Sequence, residues 1–164
     1  MARITPQYYE KNSPSRERLD YLRKLVEDQG RTVPDDFDID DIHWVTDRLG
    51  ITDYEGSSEA FIRGYFVINV AGEIKSDAQI HMDVDPGSGT VRKTLNELAD
   101  IINKALNTDP KTKVVVHCAM GMERSPLTVV WYLHKYHNKT LDEAYEMTMA
   151  KRESTVDRRN WIDM

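Results

Sequence analysis

The residues with the most chemical potential lie together in Val114-Val115-Val116-His117-Cys118-Ala119-Met120-Gly121-Met122-Glu123-Arg124-Ser125-Pro126. Cys118 is the only cysteine of the chain, and Arg124 follows it six positions later. The β-branched run before Cys118 suits a buried parallel strand. Ser125-Pro126 suits a helix N-terminus, with the hydroxyl at or near the cap and Pro at the first helical position. Gly121 stands where a tight loop needs a positive φ. A loop that curls over a helix N-terminus points several backbone N–H groups inward and holds a tetrahedral anion. A guanidinium adds a planar charged fork for two oxygens of the same anion. The same surroundings favour a thiolate, and a thiolate beneath a phosphate cradle is a nucleophile aimed at phosphorus. Ser125 can donate a hydrogen bond to the sulfur when it leaves.

The run His117-Cys118-x-x-Gly121-x-x-Arg124-Ser125 resembles the signature loop of the cysteine-dependent protein tyrosine phosphatase superfamily, and Pro126 directly after it is most similar to the dual-specificity branch. Trp44 to Ile51 is similar to the opening strand pair of that branch, and Tyr65 to Glu73 to its core strand, which closes in Asn-hydrophobic-Ala. The resemblance implies hydrolysis of phosphate monoesters through a cysteinyl-phosphate. Cys118 would be the nucleophile, Arg124 the phosphate fork, and Ser125 and His117 would assist the sulfur. The backbone of Ala119, Met120, Gly121, Met122 and Glu123 would contact the phosphate. It also implies a general-acid aspartate at the end of an upstream strand. Asp83 and Asp85 both fall near that place. Asp85 is preferred because it stands at the mouth of the turn-rich loop Pro86-Gly87-Ser88-Gly89. The tyrosine-specific branch would carry Trp-Pro before this aspartate, and this chain does not.

The elements that must position these residues follow from pattern. Leu19, Leu22 and Val26 recur at helical spacing after Ser13-Pro14, with Gly30 as a stop, and predict an N-terminal helix behind a polar lead-in containing Tyr8 and Tyr9. Asp35 to Asp41 is acidic but has neither the central glycine nor the twelfth-position glutamate of a calcium loop, so it reads as a connecting loop. Strands are predicted at 42–46, 49–52, 65–73 and 80–84, and helices at 57–63, 90–106 and 126–136. Thr140-Leu141-Asp142-Glu143 is a capping box that opens a last helix. Strands alternating with helices predict an α/β domain with a central, mostly parallel sheet flanked by helices. Residues 1–41 are read as an N-terminal helical extension and 42–164 as the phosphatase domain. The basic tail with Arg152, Arg158 and Arg159 reads as solvated.

Composition limits the partners. The 164 residues carry 22 Lys and Arg against 28 Asp and Glu, a net charge of −6. That balance disfavours nucleic acid, and any positive potential must be local to the loop. No apolar run is long enough to span a membrane. One cysteine excludes an intramolecular disulfide and argues against structural zinc, so a reducing, cytoplasmic setting is expected. No cofactor or metal is expected, because amides and Arg124 supply the charge. The loop holds no lysine that would favour polyphosphorylated lipids, so a phosphoprotein or phosphopeptide is the expected partner of a monomeric enzyme.

Overall fold

The computed structural model describes residues 15–164, and side-chain burial from residue 20. Tyr8, Tyr9 and the Ser13-Pro14 helix start lie outside the described residues. In chain order the elements are α1 (Ser15–Glu27), β1 (His43–Thr46), β2 (Leu49–Thr52), α2 (Tyr54–Ile62), β3 (Phe66–Asn69), β4 (Ile80–His81), α3 (Val91–Thr108), β5 (Val114–His117), α4 (Arg124–Tyr136) and α5 (Leu141–Lys151). A 3-10 turn at Arg159–Trp161 follows. The sheet order is β1-β2-β5-β3-β4, with β1 antiparallel to β2 and every other pairing parallel. This is the expected α/β fold with a mostly parallel sheet.

β5 is the middle strand, and its β-branched run is buried on both faces as such a strand requires. The period of two divides it cleanly. Val114 and Val116 belong to the large core, whereas Val115 packs with Val67 and Ala60 of α2 on the opposite face. The large core takes in Leu95, Leu98 and Ile102 of α3, and Leu127, Val130 and Leu133 of α4. Leu22 and Val26 of α1 join this same core, as do Val33, Phe37 and Ile39 beyond it. From Arg124 to Leu133, α4 is buried all round, so the helix behind the cysteine loop cannot tilt without disturbing the core.

Several boundaries differ from the expected ones, each for a local reason. The strand expected over 65–73 pairs only at Phe66–Asn69. There the Asn69 side chain donates to Ile74 O (2.8 Å) and accepts from Ala71 N (2.9 Å), folding the chain into a turn. α2 begins at Tyr54 rather than Ser57, because the buried Asp53 carboxylate caps it through Gly56 N at 2.7 Å. The strand expected over 80–84 is regular only at Ile80–His81, although Val84 N still reaches Val70 O at 3.1 Å. The capping box at Thr140 and Glu143 is present with both of its hydrogen bonds.

Candidate active site

Three strands end level. Thr52, His117 and Asn69 form one row across β2, β5 and β3, so the polar ends of three parallel strands meet where the cysteine loop begins. This carboxyl edge is where such sheets bind ligands. The loop from Cys118 to Glu123 is buried throughout, and its backbone shape follows from where its carbonyls go. Cys118 O receives a bond from His117 Nδ1 (3.0 Å), and Ala119 O from Tyr54 N at the start of α2 (3.0 Å). Met120 O is taken by Arg152 Nη2 (3.0 Å), Gly121 O by Arg152 Nε (2.6 Å) and Met122 O by Val156 N (2.7 Å). Each carbonyl is thus drawn into the surrounding framework. In a trans peptide the N–H lies opposite the preceding carbonyl, so the amides of residues 119–123 turn toward the concave side. Amides so directed are what an anion nest requires. Gly121 has φ +66°, the left-handed conformation expected of it.

Cys118 sits at the base of this nest, 3% exposed, with Sγ 3.3 Å from Ser125 Oγ. Ser125 lies near the helix cap, as expected, but Pro126 is not the first helical residue. α4 begins at Arg124, which makes Ser125 and Pro126 its second and third residues. Pro126 is tolerated there because the first-turn N–H has no intrahelical acceptor. His117 contacts the cysteine backbone rather than the sulfur: Nδ1 meets Cys118 O, and Nε2 meets Ser76 Oγ at 2.8 Å. Burial pushes its pKa down to about 4, only partly offset by the bond to the Cys118 carbonyl. The imidazole is therefore neutral at pH 7, donating from Nδ1 and accepting at Nε2.

Arg124 is 6% exposed and is gripped by Glu73 in a two-pronged pair, Nη1 to Oε1 at 2.7 Å and Nη2 to Oε2 at 2.6 Å. Burial opposes its charge, but the Glu73 bonds and the fields of Cys118, Glu73 and Asp83 raise its pKa. Glu73 holds the end of the guanidinium and leaves the Nε–Nη2 edge with its own donors. Sequence reasoning missed Glu73. The signal was a lone carboxylate closing an apolar strand, carried to the arginine by the Asn69 turn.

The two aspartates part company. Asp83 Oδ1 accepts from Gly72 N at 2.8 Å and lies 3.9 Å from Arg124 Nη1. A Cβ on Gly72 would stand 2.5 Å from the Asp83 carboxyl carbon, so this approach requires glycine. Asp85 Oδ1 accepts from Gly87 N at 2.9 Å, within its own loop. Glu123 is 6% exposed and is paired with Arg158 Nε at 2.8 Å. Burial raises its carboxyl pKa, against the pull of Arg158 and Arg124. The tail is not wholly solvated: Arg152 is fully buried, because the loop carbonyls and those of Ile39 and Asp41 need a donor with several N–H groups. Its neighbour His43, an acceptor at 2.6 Å, is driven to a pKa of about 4 by burial and then by that guanidinium.

A parallel sheet ending in a buried Cys–Arg nest defines a cysteine-based phosphatase fold, and the comparisons agree. The family model for the dual specificity phosphatase catalytic domain matches residues 65–164, and the chain belongs to that family. Dual specificity protein phosphatase 26 of Mus musculus is 43% identical over 60 residues, 37% of this chain and 28% of its own length. Dual specificity protein phosphatase 13B of the same species is 41% identical over 56 residues, 34% of this chain and 28% of its own length. The aligned stretch thus spans little more than a quarter of each relative. Among solved structures, human DUSP28 superposes with a TM-score of 0.62 at 16% identity, over 80% of this chain and 90% of that one. Cydia pomonella PTP-2 phosphatase gives 0.60 at 16% identity, over 74% and 86%. At such identities these two speak for the fold.

Proposed function

We propose that this protein hydrolyses phosphate monoesters on phosphoproteins, accepting both phosphotyrosine and phosphoserine or phosphothreonine. The observation that carries the reading is Cys118 Sγ at 3.3 Å from Ser125 Oγ, in a loop whose carbonyls are all drawn outward and beside a buried Arg124. The phosphate dianion sits in the amide nest against the Nε–Nη2 edge of Arg124. The Cys118 thiolate attacks phosphorus as Asp85 protonates the departing ester oxygen. Water then attacks the cysteinyl-phosphate, giving its proton to Asp85 while Ser125 hydrogen-bonds the leaving sulfur. His117 holds the Cys118 carbonyl and, with it, the loop.

A second reading exchanges the aspartates. It is favoured by the 3.9 Å approach of Asp83 to Arg124. General acid catalysis is worth about 10²–10⁴ in rate, so Asp85→Asn should lose that much with alkyl phosphates and should abolish the alkaline limb of the pH profile. If Asp83→Asn does this instead, the roles are reversed.

The phosphatase domain is taken as 42–164, acting as a monomer without metal in a reducing cytoplasmic setting. No helix among the described residues is long and apolar enough to cross a membrane. The test is phosphate release from p-nitrophenyl phosphate and from a panel of phosphopeptides, nucleotides and phosphoinositides. Cys118→Ser should abolish turnover and still bind tungstate. Undiminished hydrolysis by that variant refutes the mechanism, and a preference for phosphoinositides refutes the substrate class.

A further inference from the structure

The segment after α5, residues 152–158, makes contact with four consecutive loop residues. Arg152 takes Met120 O and Gly121 O, Val156 N takes Met122 O, and Arg158 pairs with the Glu123 side chain. This strap is neither helix nor strand, so its shape depends on what packs against it. Its outer side is held by the chain just beyond α1. Arg31 Nη1 donates to Glu153 O at 3.3 Å, and Nη2 donates to Thr155 O. Gln29 forms a reciprocal pair with the Asp157 backbone, donating to its carbonyl (3.0 Å) and accepting from its N–H (2.8 Å). The strap therefore lies between the N-terminal segment and the back of the nest.

We propose that Arg31 and Gln29 are positioning residues for the phosphate loop: by fixing the strap they set the affinity of the nest for an oxyanion. The inference rests on the phosphatase reading in taking that oxyanion to be a substrate phosphate. Val156 binds the Met122 carbonyl only where the strap holds it. A carbonyl that loses its donor lets its peptide rotate, and the N–H on the other side of that peptide swings off the anion. Productive geometry tolerates only about 0.5 Å and 10–20°. The N-terminal segment thus acts on the anion across the strap, without touching it.

The experiment titrates tungstate into the full-length protein by calorimetry, alongside amide hydrogen exchange at Val156. Arg31→Ala should bind tungstate about tenfold more weakly, as expected when one loop N–H no longer meets the anion squarely. Val156 exchange should quicken, and KM for p-nitrophenyl phosphate should rise more than kcat falls. Arg31→Lys reaches one carbonyl rather than two and should recover part of the loss. Gln29→Ala, at an exposed position, should weaken tungstate about threefold and serves if Arg31→Ala does not fold. Arg63→Ala, in an exposed pair with Glu59 remote from the strap, should change nothing. Tungstate affinity within twofold of wild type in both variants, with or without faster Val156 exchange, overturns the proposal. A wild-type protein that binds tungstate yet hydrolyses no ester refutes the phosphatase reading alone, and the affinity comparison still decides this one. A wild type that binds no tungstate overturns both.

Discussion

Replacing Gly121 by alanine tests the architecture of the nest at its tightest point. Gly121 has φ +66°, and a Cβ there would stand 2.5 Å from Thr52 O and 2.7 Å from Arg152 Nη2. Neither neighbour yields easily. Thr52 O belongs to β2 beside the central strand, and Arg152 is fully buried with its donors committed to four carbonyls and a histidine. Reaching even a tight 3.0 Å contact requires a shift of about 0.5 Å between loop and strand. The left-handed backbone costs an L-residue about 1–2 kcal/mol, and overpacking a filled site adds about 1–3 kcal/mol. The variant should therefore lose about 2–5 kcal/mol of stability. Because the shift falls on the nest itself, kcat/KM should drop about 10²-fold, the scale associated with misplacements near 1 Å. Urea denaturation gives the first number, and p-nitrophenyl phosphate hydrolysis by the folded fraction gives the second. An alanine variant with wild-type stability and activity within threefold would refute the close-packed loop.

Other perturbations separate charge, titration and local helix chemistry. Glu73→Ala leaves a buried guanidinium without its forked partner. Removing one half of a buried pair costs about 3–5 kcal/mol, and with the Glu73 side chain 18% exposed, water should reduce that to about 1–3 kcal/mol in a urea melt. His117 has its folded pKa lowered to about 4 from 6.5 by burial. Its stabilisation is complete above the unfolded value and is lost as pH falls through the window between the two. At pH 5 the protein should be about 2 kcal/mol less stable than at pH 7.5 from this group, and His117→Asn should flatten that slope. Thr140→Ala removes the capping box of α5 and should cost about 1 kcal/mol while leaving p-nitrophenyl phosphate kinetics unchanged.

How much was legible in the chain depends on the range of the interaction. Cys118, Gly121 and Arg124, the expected nucleophile, loop turn and phosphate fork, lie within seven residues, and with His117, Ser125 and the strand and helix on either side they form a pattern that is legible because it is local. The buried β5 strand and the capping box at Thr140 are equally local, since periodicity and cap chemistry concern neighbours in sequence. Glu73 and Arg124 are 51 positions apart, and nothing in either neighbourhood names the other; only the alignment of β3 and β5 with the Asn69 turn brings them into one pair. Asp83 and Asp85 are two residues apart and indistinguishable by pattern, yet the loop sends one toward Arg124 and the other to its own turn. Arg152 stands in a charged stretch that reads as solvent-facing. Its burial is decided by the tertiary structure, which turns five polar acceptors from two distant segments, residues 39–43 and 120–121, toward one point, where only a side chain with several fixed donors can satisfy them.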